Sequence, residues 1–149
     1  MDTGIKVGDL MTKEPVTVSH NTSLQECARI MAKEHVGSLL VTKNKKLVGV
    51  VTEQDIVRKA VIKNLSAKNN PISKVMETKL ITVSPSLDIF EALKKMSKFN
   101  IRHLPVMHKG AMVGFITTKD ILKVQPELFD ILQDKIEIRQ QEQRDYFTE

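Results

Sequence analysis

The sequence predicts an α/β chain of the α+β type. Two tandem β-α-β-β-α units pack sheet to sheet with pseudo-two-fold symmetry, and a C-terminal helix follows. Three observations predict it. Sliding the chain by 65 residues lays residues 7–59 on 72–124 without a gap, with fourteen identical positions, the mark of a duplicated structural unit. Within each copy the apolar spacing changes from short strand-like runs to a helical period and back. A copy of 53 residues cannot close a core around its own half-buried sheet, whereas two copies can close one together.

The elements follow in order. Residues 16–19 and 81–84 are apolar-rich and suit a first strand. Leu24, Cys27, Ala28 and Met31 recur at i, i+3, i+4 and i+7, as do Ile89, Ala92, Leu93 and Met96, so each copy has a helix with one buried face. Residues 38–42 and 47–51 pair as a hairpin, as do 103–107 and 112–116. The links KNKK and HKGA carry Asn44 and Gly110, which tolerate the positive φ of a tight turn. A second helix begins near Thr52 and again near Thr117.

The first repeat is assigned to residues 1–65 and the second to 66–125, with the polar stretch 63–70 before Pro71 as the link. Pro126 stops the last helix and opens a helical extension over 126–149. Its stripe of Leu128, Ile131, Leu132, Ile136 and Ile138 suits packing back on the core or a subunit contact, with a frayed end as the third reading.

Composition bounds the function. Hydrophobic residues make up 41% of the 149, Trp is absent, and the net charge is +5. That charge suits an anionic ligand, but solubility alone accounts for it equally well. Cys27 is the single cysteine, so no intramolecular disulfide and no cysteine zinc site is available. The N-terminus lacks the apolar core of a signal peptide and no apolar run approaches a membrane span, so a cytoplasmic protein is expected.

The most informative stretch occurs twice: GVVTEQDIV from Gly49 and GFITTKDIL from Gly114. Thr-x-x-Asp ahead of an apolar-periodic helix is a capping signal, with the Thr oxygen accepting from an early amide and the acid in the first turn. The same geometry suits a ligand. A Thr hydroxyl can donate to phosphate beside free helix amides, whereas an ionised carboxylate only accepts and so matches the two hydroxyls of a ribose. The pair suits a nucleoside phosphate better than an inorganic anion.

The duplicated unit resembles the cystathionine β-synthase (CBS) domain, and the chain resembles a stand-alone CBS pair, or Bateman module. The resemblance is carried over about residues 7–125 by LMTKEPVTVS, VGSLLV and LVGVVTEQDIVRK in the first copy, and by VMETKLITVS, IRHLPV and MVGFITTKDIL in the second. It implies a non-enzymatic regulatory module that needs no cofactor. It implies regulatory ligands, AMP, ADP, ATP or S-adenosylmethionine, bound in clefts between the repeats. A homodimer and a regulated partner protein are implied as well.

Carried over by position, the resemblance puts Asp55 and Asp120 on ribose and Thr52 and Thr117 near phosphate. Val50, Ile81 and Ile101 would accompany Asp55, and Phe115, Val16, Val36 and Gly37 would accompany Asp120. Arg102, His103 and Lys119 are suited to phosphate and belong to the second copy alone. Gly37, Ser38 and Gln54 hold their places in the first. The Asp120 site is therefore expected to be the stronger one for a phosphorylated ligand.

Other chemistries lack their signatures. No G-x-x-x-x-G-K-[ST] occurs, and His20, His35, His103 and His108 have no zinc spacing, so no catalytic or metal-ligating residue is assigned. Cys27 lies on the buried helix face as a small core thiol. The basic loops have no aromatic platform for single-strand stacking, which leaves nucleic-acid binding a weaker alternative. A ligand-free dimerisation scaffold is the stronger rival.

Overall fold

The computed structural model describes residues 1–130. In chain order the elements are α1 (Val7–Leu10), β1 (Thr17–Ser19), α2 (Leu24–Glu34), β2 (Ser38–Lys43), β3 (Lys46–Thr52) and α3 (Glu53–Asp55), which continues as a π-helical stretch, Ile56–Val61. A 3-10 turn, Ile72–Lys74, precedes α4 (Ile89–Phe99), β4 (His103–His108), β5 (Ala111–Thr117) and α5 (Thr118–Val124). The architecture is mixed α/β with two small sheets, as the sequence predicts. Of the apolar stripe on the C-terminal extension, Ile131, Leu132, Ile136 and Ile138 lie outside the described residues.

The compact units cut across the repeats. One is Glu14–Ile81; the other joins Met1–Lys13 to the described residues from Thr82 to Asp130. Each is completed by the segment that leads into the other repeat, and the hydrogen bonds show how. In the unit from Thr82, Val7 N–H donates to Leu87 O at 2.8 Å, Gly8 N–H to Pro85 O at 2.9 Å and Ile89 N–H to Ile5 O at 3.0 Å. In Glu14–Ile81 the counterparts, 65 residues on or back, are Ile72 to Thr22 at 2.7 Å, Ser73 to His20 at 3.1 Å and Leu24 to Asn70 at 3.0 Å.

The duplicated glycines belong to this docking. A Cβ on Gly114 would meet Met11 Sδ at 2.5 Å, its Cγ at 2.9 Å and Thr12 O at 3.0 Å. On Gly49 it would meet Met76 Sδ at 2.5 Å, its Cγ at 2.9 Å and Glu77 O at 3.2 Å. Glycine lets each methionine lie flat on its strand.

In Glu14–Ile81, β1 runs parallel to β2, and β2 antiparallel to β3. Val18, Leu24, Cys27, Met31, Leu39, Val41, Val51, Ala60, Ile72 and Val75 form the core. Burial, and then the charge of Glu26, pushes the Cys27 thiol up to about 11, consistent with a core thiol. Ala28 is exposed, against expectation; the partly buried Ile30, on the opposite flank of the stripe, packs against the core instead. In α4 the whole expected stripe of Ile89, Ala92, Leu93 and Met96 is fully buried.

The hairpins turn where the sequence places them. Asn44 and Lys45 have φ of 52° and 66°, and Lys109 and Gly110 of 51° and 78°. Residues 81–84 do not form a strand. Only Val83 bridges Val106, through Val83 N–H to Pro105 O at 3.1 Å and Met107 N–H to Val83 O at 2.8 Å. In the first copy the flanking ladder bonds come from Leu40 N–H to Val16 O and His20 N–H to Thr42 O. Proline stands at both equivalent positions, 105 and 85, and has no N–H to give.

Candidate functional site

Thr52 ends β3 and Thr117 ends β5, and each is the N-cap of the helix that follows. Thr52 Oγ1 accepts from Asp55 N–H at 3.1 Å, while Asp55 Oδ2 accepts from Thr52 N–H at 2.9 Å. Thr117 Oγ1 accepts from Asp120 N–H at 3.3 Å, and Asp120 Oδ2 accepts from Thr117 N–H at 2.9 Å. Both motifs are therefore reciprocal capping boxes. Other first-turn amides are engaged as well: Glu53 N–H donates to Gly37 O and Thr118 N–H to Arg102 O, each at 3.0 Å. Fewer helix amides are left for an anion than the sequence suggested.

Beyond the cap the copies part. Thr52 also donates its hydroxyl to Asp55 Oδ2 at 3.1 Å, and Asp55 Oδ1 pairs with Lys59 Nζ at 3.2 Å. The first motif satisfies itself. Among the described residues, the Thr117 hydroxyl has no acceptor and Asp120 Oδ1 has no donor. Position 124, which corresponds to Lys59, is Val. A donor and an acceptor thus stand ready in the second copy, on half-buried side chains.

The surroundings differ in the same sense. Glu53 and Asp55 put two acids in the first turn of α3, whereas α5 has Asp120 and the exposed Lys119. The Glu53 carboxylate sits over Gly37, with Oε1 2.7 Å from where a Cβ would be. In the second copy Arg102 takes the place of Gly37, and the shorter Thr118 that of Glu53. Arg102 is exposed and makes no ion pair with any described residue. His103 stands opposite Thr117 in the β4–β5 register, and its ring lies 5.7 Å from that of Phe115.

Each unit thus carries its own half of the expected ligand residues. Arg102, His103, Phe115, Thr117, Lys119 and Asp120 gather where β4 begins and β5 ends, and Ile101 immediately precedes them. Thr52 and Asp55 occupy the matching place in Glu14–Ile81, with Val50 on β3 buried and Ile81 half-buried. Val16 and Val36 pack against the core of that unit, and Gly37 is exposed. Sequence reasoning missed Lys59. The contrast of Asp55 and Lys59 with Asp120 and Val124, four residues apart in each copy, was the signal. Among the described residues no cluster of three or more His, Cys, Asp or Glu could hold a metal ion, and no helix is long and apolar enough to cross a membrane.

Fold and paired motif define a duplicated module built from two related copies of one unit. The chain belongs to the CBS domain family, whose model matches residues 7–62 and again 72–127. It is a CBS domain pair. An uncharacterized Methanocaldococcus jannaschii protein is 31% identical over 85% of this chain and 70% of its own length. The CBS domain-containing protein YhcV of Bacillus subtilis is 31% identical over 77% of this chain and 81% of its own. A second M. jannaschii protein, 37% identical, is spanned over only 39% of its length.

Among solved structures, a conserved protein of Pyrococcus horikoshii superposes with a TM-score of 0.77 at 32% identity, covering 84% of this chain and 95% of its own. The CBS pair of protein MJ0100, in complex with 5′-methylthioadenosine and S-adenosyl-L-methionine, superposes at 0.73 with 31% identity, covering 82% of this chain and 96% of its own.

Proposed function

We propose that the chain is a non-enzymatic sensor of adenosine compounds, with its working site at Thr117 and Asp120. One observation carries the proposal: the Thr117 hydroxyl and Asp120 Oδ1 are unspent where their first-copy counterparts are engaged. Asp120 accepts from the ribose hydroxyls and Thr117 donates to the 5′ substituent. Phe115 offers an apolar face to adenine. Arg102, His103 and Lys119 favour a phosphorylated compound, AMP, ADP or ATP. The MJ0100 pair supports the adenosine class, and its two ligands carry no phosphate, so S-adenosylmethionine belongs in any trial. The ligand acts by binding one arrangement of the module more tightly than another, and a homodimer and a partner protein respond.

A thermal-shift screen with AMP, ADP, ATP and S-adenosylmethionine tests this. At a hundredfold excess over Kd a native-state ligand adds about 2.7 kcal/mol. No shift with any of the four at millimolar concentration removes the sensor and leaves a dimerisation scaffold.

A further inference from the structure

We propose that Lys59 is an internal plug that closes the first motif to ligand and makes the module one-sited; this rests on the adenosine reading above. The Lys59 ammonium has three partners at once. Asp55 Oδ1 lies at 3.2 Å, Val75 O accepts at 3.3 Å, and Glu77 Oε2 lies at 4.0 Å. The ammonium donates to the Val75 carbonyl and pairs by charge with Asp55 and Glu77, so Lys59 links the carboxylate that would hold a ribose to the segment docked on β3. That segment is fixed in turn by Glu77 N–H to Val50 O at 2.8 Å and by Val50 N–H to Glu77 O at 3.0 Å.

Neither Lys59 nor Glu77 recurs in the second copy. Lys59, Val75 and Glu77 correspond to Val124, Leu10 and Thr12, and Asp120 keeps an open oxygen. The helix differs too. Ile56–Val61 is wound as a π-helix, while Thr118–Val124 is an ordinary α-helix. A ribose that used both Asp55 oxygens would compete with the Lys59 ammonium for Oδ1 and with the Thr52 amide and hydroxyl for Oδ2. A phosphorylated ligand must also approach Glu53 and Glu77, which are Thr118 and Thr12 in the second copy.

The test exchanges the two positions. Lys59 is partly exposed and Val124 is 46% exposed, so K59V and V124K disturb no core. ATP and S-adenosylmethionine are titrated separately into the full chain by calorimetry. The plug predicts one site per chain in the wild type, two in K59V, and at least tenfold weaker binding in V124K. One unchanged site in the wild type, K59V and V124K overturns the plug and leaves the adenosine reading standing. Two sites in the wild type, with one lost in K59V, make Lys59 a ligand contact and overturn it as well. No binding by the wild type or K59V overturns both. Binding by K59V alone supports the plug and removes Asp120 as the working site.

Discussion

Met11 lies against Gly114 so closely that a Cβ there would stand 2.5 Å from its sulfur, and Met76 repeats the contact on Gly49 at the same distance. The first glycine of each duplicated motif is thus a docking surface for a segment far away in the chain. Gly114→Ala should destabilise the protein by about 1–3 kcal/mol, as overpacking does. The neighbouring Thr12 O at 3.0 Å cannot rotate aside as a side-chain tip could. In a Met11→Ala background the same substitution should cost measurably less, because contacting residues couple. Denaturant midpoints of the four proteins in that cycle check this; strict additivity would refute it.

Asp88 anchors the N-terminal arm. It caps α4 through Phe90 N–H at 2.9 Å and accepts from Thr3 N–H and the Thr3 hydroxyl, each at 3.0 Å, and from Gly4 N–H at 3.1 Å. Burial alone would raise its carboxyl. The Asp2 side chain and the hydrogen bonds from Phe90, Thr3 and Gly4 outweigh burial and hold it at about 2, below the ordinary 3.8. A carboxyl depressed on folding contributes stability that is fully present above its unfolded value and is lost as pH falls through its folded value. The wild type should therefore lose stability between pH 3.8 and about 2. Asp88→Asn, which keeps a good cap, should show a shallower loss in that window and a lower stability above it. Denaturation midpoints across the window decide, and identical slopes would contradict the assignment.

The duplication made the hairpins, the helices and both capping boxes legible, because each rests on contacts local in the chain. The failures have the opposite origin. Residues 81–84 have a strand's composition, but Pro85 and Pro105 remove ladder donors that only the folded pairing brings into play. The Lys6–Asp88 and Ser23–Pro71 bridges are likewise long-range pairings within each compact unit that the repeat alignment, itself unaffected, does not display. The inequality of the two motifs was visible in Arg102 and Lys119. Its sharper form was hinted at by Lys59 against Val124, but the engagement of both Asp55 oxygens appears only in the folded contacts.

The most direct test of the account compares Asp120→Asn with Asp55→Asn in a calorimetric titration with ATP and with S-adenosylmethionine. The account predicts that Asp120→Asn weakens both ligands tenfold or more, about 1.4 kcal/mol, while Asp55→Asn leaves both affinities within twofold of wild type, roughly 0.4 kcal/mol. Equal losses in the two variants, or a loss confined to Asp55→Asn, would contradict it.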